Sequence, residues 1–281
     1  MIRREDQADF LLITQHDHAL ISGELAEAFG NNRFATPQPA EQAIMGIRLH
    51  DCGWPLHDDQ PTLNKEGKPL DVFETTPAIG LKVWTASADR AAQQDPYAGL
   101  LVSLHVLSLS VFTTTQTPFE HEKWELEDGP DKFAVIKFQQ KEIERQEKLR
   151  MKLGLRTDRP THHKQPQEVT QKKEDQLTFN FRLLQAMDMI SLAACCTKPP
   201  AAWTQDVFTH AGGTTLRLAL ARQGANVLVD PWPFARRAIE LKIPVTRLPG
   251  QTYGDVEAFR AAYAAGQTEV LTCTILPRTT S

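Results

Sequence analysis

The chain has 281 residues, of which 41% are hydrophobic and 23% are charged, which suits one large domain with an accessory piece or two small domains. Its formal net charge of -4 at pH 7 shows no excess of positive charge. Electrostatic binding to nucleic acid or to an anionic membrane is therefore not expected. The four cysteines show no C-x-x-C spacing, which argues against a thiolate zinc site and fits a reducing compartment.

The N-terminus has no long apolar segment before a small-residue cleavage site, so it is not typical of a signal peptide. The longest apolar run, at 98–112, is too short to span a bilayer. We therefore expect a soluble cytoplasmic protein that acts on a small molecule. The composition leaves homo-oligomerisation open.

The first part of the chain predicts helices. Residues 10–14 form a short strand-like or buried run, and a helix at about 17–29 follows and ends before Gly30. A second helix at about 39–52 is stopped by the sequence Gly53-Trp54-Pro55.

Residues 55–80 are rich in turn formers and predict a long ordered loop, a kind of segment that often carries function. Helix signals resume at about 78–93. A strongly apolar helix then follows at about 95–111, with Asp95 as its cap and Pro96 as its first residue.

Residues 113–175 differ from the rest, since they combine a charged helix at about 132–153 with a polar stretch that predicts a mobile linker. We interpret this segment as an insertion. One more apolar-faced helix at about 177–196 follows it. Short apolar runs separated by Gly, Pro and Asn then predict strands to the end of the chain.

These patterns predict a mainly α protein with a small C-terminal antiparallel β-subdomain. We expect a helical domain formed by 1–112 and 176–200, a charged helical and linker insertion at 113–175, and the β-rich subdomain at 201–281.

Four predicted helices each offer a candidate metal ligand. His18 shares a helical face with apolar residues three and seven positions later, and the adjacent pair His50-Asp51 ends the second helix. His105 lies within an apolar helix, and Asp188 has leucines four positions before and after it. A buried carboxylate without a partner costs several kcal/mol or more, and a metal ion would remove that cost.

At this point the sequence resembles the HD-domain superfamily, helical metal-dependent proteins that are mostly phosphohydrolases. The stretches LHDCGW and LLQAMDMISL are similar to two of its motif helices. The stretches QHDHALISGELAEAFG, HDCGWPLHDD, DPYAGLLVSLH and DPWPF resemble more closely a bacterial HD-like family of unknown function. The resemblance covers most of the chain outside 113–175 and implies an HD-domain-like helical bundle.

The resemblance implies that His18, His50, Asp51 and Asp188 hold a divalent metal ion. It implies for His105 the role of a further histidine that serves a second metal or the substrate phosphate. The sequence differs from many hydrolases of this superfamily at Trp54, where those proteins have a lysine.

Each candidate also has a purely structural interpretation. His50 and Asp51 are also compatible with an ordinary helix end, His18 with a buried histidine bonded to a carbonyl, and His105 with a core residue. Asp188 is also compatible with a buried ion pair to Arg182.

The sequence leaves the role of three more residues undecided. His16 is an alternative to His18 as the metal ligand of the first helix, and the position of His18 on the apolar helical face favours His18. His57 and Asp58 follow the pair closely and are candidates for a general base, although such a cluster is more often a solvated turn.

The sequence therefore predicts a metal-dependent hydrolase for a phosphate ester or nucleotide-like small molecule, acting through a metal-activated water. The metal is Mn, Fe, Co, Ni, Zn or Mg, and the candidate catalytic residues are His105, His57 and Asp58. Two alternatives stay open: a di-iron oxygenase with the same ligands, and a metal-binding sensor or scaffold without catalysis.

Overall fold

The chain begins with a β-hairpin that joins the main sheet. Strand β1 (Ile2–Asp6) pairs antiparallel with β2 (Asp9–Ile13), and Gln7 in the turn has a φ of 55°. Strand β2 confirms the short strand-like run predicted at 10–14. The computed structural model describes residues 1–115, 124, 126, 129–156, 167–196 and 204–278.

Helices fill most of the chain between the hairpin and residue 196. Helix α5 contacts α2, α4, α6 and α7, so it lies in the middle of the helical layer. Its start is capped as predicted, because the Asp95 carboxylate accepts hydrogen bonds from the backbone N–H groups of Tyr97 and Ala98. None of the described helices is long and apolar enough to cross a membrane. The bounds are α1 Gln15–Ala28, α2 Ala40–Leu49, α3 Pro55–Asp58, α4 Pro77–Gln94, α5 Pro96–Thr115, α6 Pro130–Leu153 and α7 Gln167–Cys195, with a 3-10 turn at Val72–Glu74.

A curved sheet forms the other half of the molecule. Its strand order is β1-β2-β6-β7-β5-β4-β3 across seven strands in the described part of the chain, and it curls into a half-barrel. Neighbouring strands are antiparallel except β5 and β7, which run parallel. A short helix, α8 (Val256–Ala264), connects β6 to β7. The remaining bounds are β3 Thr204–Phe208, β4 Thr215–Gln223, β5 Asn226–Asp230, β6 Ile239–Pro249 and β7 Gln267–Pro277.

The helices and the sheet share one hydrophobic core. Helix α7 packs against β3, β4 and β5, and α1 packs against β6. Leu184 and Ile190 of α7 belong to the same buried cluster as Val229, Leu241 and Ile275 of the sheet. Burying each such side chain contributes about 1.5–3 kcal/mol, so α7 is anchored firmly on the sheet.

This architecture overturns the predicted fold class. A mainly α protein with a small C-terminal antiparallel β-subdomain is wrong, because the sheet is large, is mixed, and takes two strands from the N-terminus. The local sequence pattern does not show these pairings, because β2 pairs with β6 across more than 200 residues. The predicted domain boundaries stay a prediction.

The predicted linker is also shorter than expected. Helix α7 begins at Gln167, ten residues before the predicted start, and its first turns are held to α6. Arg150 forms an ion pair with Glu174 at 2.8 Å, and Lys173 donates to the carbonyl of Leu153. Much of the predicted insertion, including 157–166, lies outside the described residues.

Gly53 allows the segment after the His50-Asp51 pair to pack closely on α4. A Cβ atom at this position would lie 2.1 Å from the carbonyl oxygen of Val83 and 2.5 Å from the backbone nitrogen of Ser87. The Gly53 N–H donates to the Ser87 hydroxyl at 2.9 Å. The position therefore requires glycine because of close approach.

We expect Gly53→Ala to lower the free energy of unfolding by about 1–3 kcal/mol, because the methyl group meets backbone atoms that cannot rotate away. Gly254→Ala is the matched control, since a Cβ there meets nothing within 4 Å. It should change stability by less than about 0.5 kcal/mol. Urea unfolding of the two variants measures the difference, and equal stabilities would contradict the close-packing argument.

Candidate metal centre

The structure brings together five side chains singled out from the sequence. His18 lies on α1, His50 is the C-terminal cap of α2 with Asp51 directly after it, His105 lies on α5, and Asp188 lies on α7. Their ligand atoms form two overlapping groups, His18–His50–Asp51 and His50–His105–Asp188, and within each group the atoms lie within 4.8 Å of one another. His50 belongs to both groups and therefore lies at the centre of the cluster.

The separations between these atoms resemble those around a metal ion. Nε2 of His18 lies 2.9 Å from Oδ1 of Asp188, and Nε2 of His50 lies 3.6 Å from the same oxygen. Nε2 of His50 is 3.5 Å from Oδ2 of Asp51, and Nε2 of His105 is 3.5 Å from Oδ2 of Asp188. Adjacent ligands with bonds of about 2.1 Å are about 3.0 Å apart in octahedral and about 3.4 Å apart in tetrahedral geometry. These four separations therefore lie close to those between adjacent ligands of a small cation.

The protonation of His50 follows from its backbone contact. Nδ1 of His50 lies 2.7 Å from the carbonyl oxygen of Ile47, and a carbonyl oxygen can only accept, so Nδ1 carries a hydrogen. In the neutral ring Nε2 then presents a lone pair. This buried atom has no hydrogen-bond partner among the described residues and faces the carboxylates of Asp51 and Asp188. Only a cation, a proton or a metal ion, makes that arrangement favourable.

The charges of the cluster shift its pKa values strongly. Burial lowers the pKa of His50, but the charge of Asp51 and the interaction with Asp188 outweigh it and raise the pKa to about 9. Burial alone would raise the pKa of Asp188, but its contacts with His18 and His50 hold it well below the usual value. Burial raises the pKa of Asp51, and His50 and His18 oppose that shift. Without a metal ion, a proton on His50 is the cation that pairs with these carboxylates.

Asp51 is held by two donors. The indole N–H of Trp54 donates to Oδ1 at 3.0 Å, and the side-chain amide of Gln15 donates to Oδ2 at 3.2 Å. Trp54 is 2% exposed and belongs to a core cluster with Val83 and Trp84. The residue that departs from the HD-like pattern therefore orients a candidate ligand in this protein.

Burial keeps the ring of His105 neutral at pH 7. Burial lowers its pKa to about 4, with the charge of Asp188 opposing that shift. Its Nδ1 is buried without a hydrogen-bond partner in the described part of the chain. A neutral imidazole has a lone pair to offer to a cation and one N–H to donate.

The other candidates from the sequence lie outside both ligand groups. Asp58 accepts from the backbone N–H of Gln15 at 2.8 Å and lies 2.8 Å from the amino group of Met1, contacts that favour a structural role. His57 is buried, and burial lowers its pKa. The general-base role of His57 and Asp58 stays a prediction. His16, the rival of His18, is absent from both groups formed by the described residues.

The alternative partner considered for Asp188 is not the one it contacts. Arg182 donates to the side-chain carbonyl of Gln185, whereas Asp188 contacts the three histidines. The Asp188 side chain is 16% exposed, and the side chains of the other four residues are between 1% and 6% exposed. Asp188 is therefore the most solvent-exposed of the five side chains.

Sequence reasoning missed three supporting residues. Gln15, Trp54 and Ser191 each lie three positions from a candidate ligand and contact the cluster. Residues three apart share a helical face, so a polar side chain at that spacing was the signal that could have found them.

We expect the metal-free protein to lose stability as the pH rises from 6.5 to 9. The folded-state pKa of His50, about 9, lies above the ordinary 6.5, so its contribution is fully present below pH 6.5 and is lost as pH rises through 9. The size should be on the order of 2 kcal/mol. Chemical unfolding of chelator-treated protein across this range measures it. His50→Gln is the control, and parallel curves for both proteins would contradict the assignment.

We expect Trp54→Phe to weaken metal binding about tenfold or more, because it removes the donor to Asp51 and keeps an aromatic ring in the core. Trp84→Phe is the matched control from the same core cluster, since Trp84 stacks on Trp124 and is not in a ligand group. Competition with a chelating dye measures both affinities. Equal loss in the two variants would assign the effect to packing.

Comparison with known proteins identifies a family but no function. No curated protein matches the chain, and no solved structure matches it. The resemblance to the HD-domain superfamily and to an HD-like family is wrong, because no HD-domain match was found and the large mixed sheet is not part of a purely helical fold. A family model described as protein of unknown function (DUF3891) matches residues 1–250. Since the match covers most of the chain, the protein belongs to the DUF3891 family.

Proposed function

We propose that this protein is a metal-dependent hydrolase that acts on a phosphate ester or nucleotide-like small molecule. The observation that carries the proposal is the buried Nε2 of His50, which has no hydrogen-bond partner among the described residues and faces two carboxylates and two further imidazoles. Clusters of this kind, with perturbed pKa values, are concentrated at functional sites.

The donor set favours a transition metal. Three imidazole nitrogens and two carboxylates suit Mn, Fe, Co, Ni or Zn better than Mg, which prefers oxygen ligands and retains several waters. The described cysteines lie outside both ligand groups, so the set contains no thiolate. We therefore place a first-row divalent ion ahead of magnesium among the predicted metals.

A divalent ion held here supplies a Lewis acid that lowers the pKa of a water molecule and polarises a phosphoryl oxygen. His18, His50 and Asp51 lie at the buried end and would hold the ion. Asp188 lies at the exposed side, where a substrate enters, and His105 beside it remains neutral at pH 7. The neutral ring donates an N–H to a phosphoryl oxygen or adds a ligand, and this is the role we propose for it.

The charge balance narrows the substrate class. Asp51 and Asp188 together offset the charge of a divalent ion, and no lysine or arginine forms an ion pair with the five cluster residues in the described ranges. A phosphodiester carries one negative charge and a monoester carries up to two. The site therefore fits a diester better, because less charge has to be neutralised in a buried setting.

A second candidate, an iron oxygenase, is favoured by one observation. The two oxygens of Asp188 face different partners, Oδ1 towards His18 and His50 and Oδ2 towards His105, as a carboxylate between two ions does. Protein purified with iron and showing a charge-transfer absorption band would support this candidate, and a purely redox-inert metal preference would remove it.

We expect natively purified protein to contain stoichiometric first-row metal by elemental analysis, and His50→Ala and Asp51→Ala to lose it. His210→Ala is the matched control, because His210 is exposed and its ring contacts the backbone carbonyl of the neighbouring Ala211. The loaded protein should hydrolyse bis-p-nitrophenyl phosphate faster than p-nitrophenyl phosphate. Metal-free native protein, or full metal content in His50→Ala, would overturn the proposal.

A further inference from the structure

The inference concerns the hydroxyl group of Ser191 and rests on the proposed metal centre. We infer that Ser191 is a positioning residue that sets the tautomer of His18 and so directs the Nε2 lone pair of that ring to the ion. Ser191 lies one turn after Asp188 on α7 and is fully buried. One helix therefore supplies both a candidate ligand and the group that orients another.

The direction of the hydrogen bonds follows from the chemistry of the acceptors. The Ser191 Oγ lies 2.9 Å from the backbone carbonyl oxygen of His18 and 2.7 Å from Nδ1 of the same residue. A carbonyl oxygen only accepts, so with a metal ion on Nε2 the hydroxyl would donate its single proton to the carbonyl. Oγ then accepts from Nδ1–H, which leaves the lone pair on Nε2, 2.9 Å from Oδ1 of Asp188.

Two lone pairs at that separation repel each other unless a cation lies beside both. A metal ion satisfies this requirement, and histidine ligands commonly donate their other N–H to a neighbouring group in this way. The other tautomer, with its hydrogen on Nε2, would bond directly to Asp188 and would no longer be a ligand. The Ser191 hydroxyl is thus the group that favours the tautomer able to bind metal.

Removing the hydroxyl has a specific consequence. In Ser191→Ala, a hydrogen on Nδ1 would be buried without an acceptor, which costs about 1–3 kcal/mol. The ring can avoid that cost by moving its hydrogen to Nε2 and donating to Asp188. The metal-free fold is then preserved, whereas the metal must displace a hydrogen bond to bind.

Ser22 provides a matched comparison. Its hydroxyl also donates to the carbonyl oxygen of His18, at 3.1 Å, and it is fully buried as well. The contact recorded for it is with the carbonyl and not with the ring. Ser22→Ala therefore removes a buried hydroxyl and a bond to the same carbonyl but leaves the tautomer of His18 unchanged.

The test titrates Co²⁺ into the full-length wild type, Ser191→Ala, Ser22→Ala and Ser191→Thr. We expect Ser191→Ala to bind about 10- to 100-fold more weakly, as loss of a supporting hydrogen bond typically does, with Ser22→Ala within about threefold of wild type. Ser191→Thr keeps the hydroxyl and should restore most of the affinity. Equal losses in Ser191→Ala and Ser22→Ala, or unchanged binding in Ser191→Ala, would overturn the inference.

A second readout does not depend on affinity. Nitrogen NMR of histidine-labelled, Zn²⁺-saturated protein, with the His18 signal assigned by His18→Gln, should show a hydrogen-bonded Nδ1–H in wild type and an Nδ1–H that has lost this hydrogen bond in Ser191→Ala. The same hydrogen bond in both proteins would refute the role of Ser191. If Ser191→Ala does not fold, Ser191→Cys, which is similar in size and a weak acceptor, takes its place.

The outcomes separate the inference from the proposed function. Wild type that binds no Co²⁺ refutes the metal centre, whatever the tautomer of His18. Wild type that binds Co²⁺ while Ser191→Ala binds equally well refutes the role of Ser191 alone.

Discussion

The burial of two carboxylates among three imidazoles is the constraint on which the helical layer depends. An unpaired buried charge costs several kcal/mol, a large part of a typical protein's total stability, so Asp51 and Asp188 stay ionised here only beside a cation. The pKa of Asp188 is held well below its usual value by His18 and His50, so its charge is sustained by its neighbours. Since α1, α2, α5 and α7 each bring part of the cluster, their relative placement is set by this convergence as well as by apolar packing.

The sheet positions the site although it contributes no ligand to it. Strand β2 leads into α1 within two residues and pairs with β6, so the hairpin determines where His18 lies along the helical layer. On the other side, α7, the helix that carries Asp188 and Ser191, packs on β3, β4 and β5. A shift of α7 on the sheet would move both residues, which makes the half-barrel a rigid support for the cluster.

The candidate ligands and the C-terminal strands were predictable from the sequence, and the pairing of the sheet was not. His18 and Asp188 could be singled out because each is a polar residue whose neighbours at helical spacing are apolar. Strand β1 carries the charged sequence IRRED, and its pairing with β2 extends a sheet whose other strands come from the end of the chain. Such pairings depend on contacts between distant residues, and a local pattern does not contain them. Gln15 was missed because its partner, Asp51, comes from a different element, and Trp54 was missed because a buried aromatic residue is usually only part of the core.

The resemblance that pointed to these ligands was wrong about the fold, and the reason is physical. Histidine and aspartate on the inward faces of neighbouring helices can pair with each other in many different folds. Their presence therefore does not identify the fold around them. The site therefore has to be interpreted from its own atoms. With its pKa raised to about 9, His50 carries a proton near neutral pH when no metal ion is present, and that proton occupies the same space between Asp51 and Asp188. That proton already pairs with both carboxylates, so the arrangement of the helices does not require a metal ion, and an ion bound here would replace the proton.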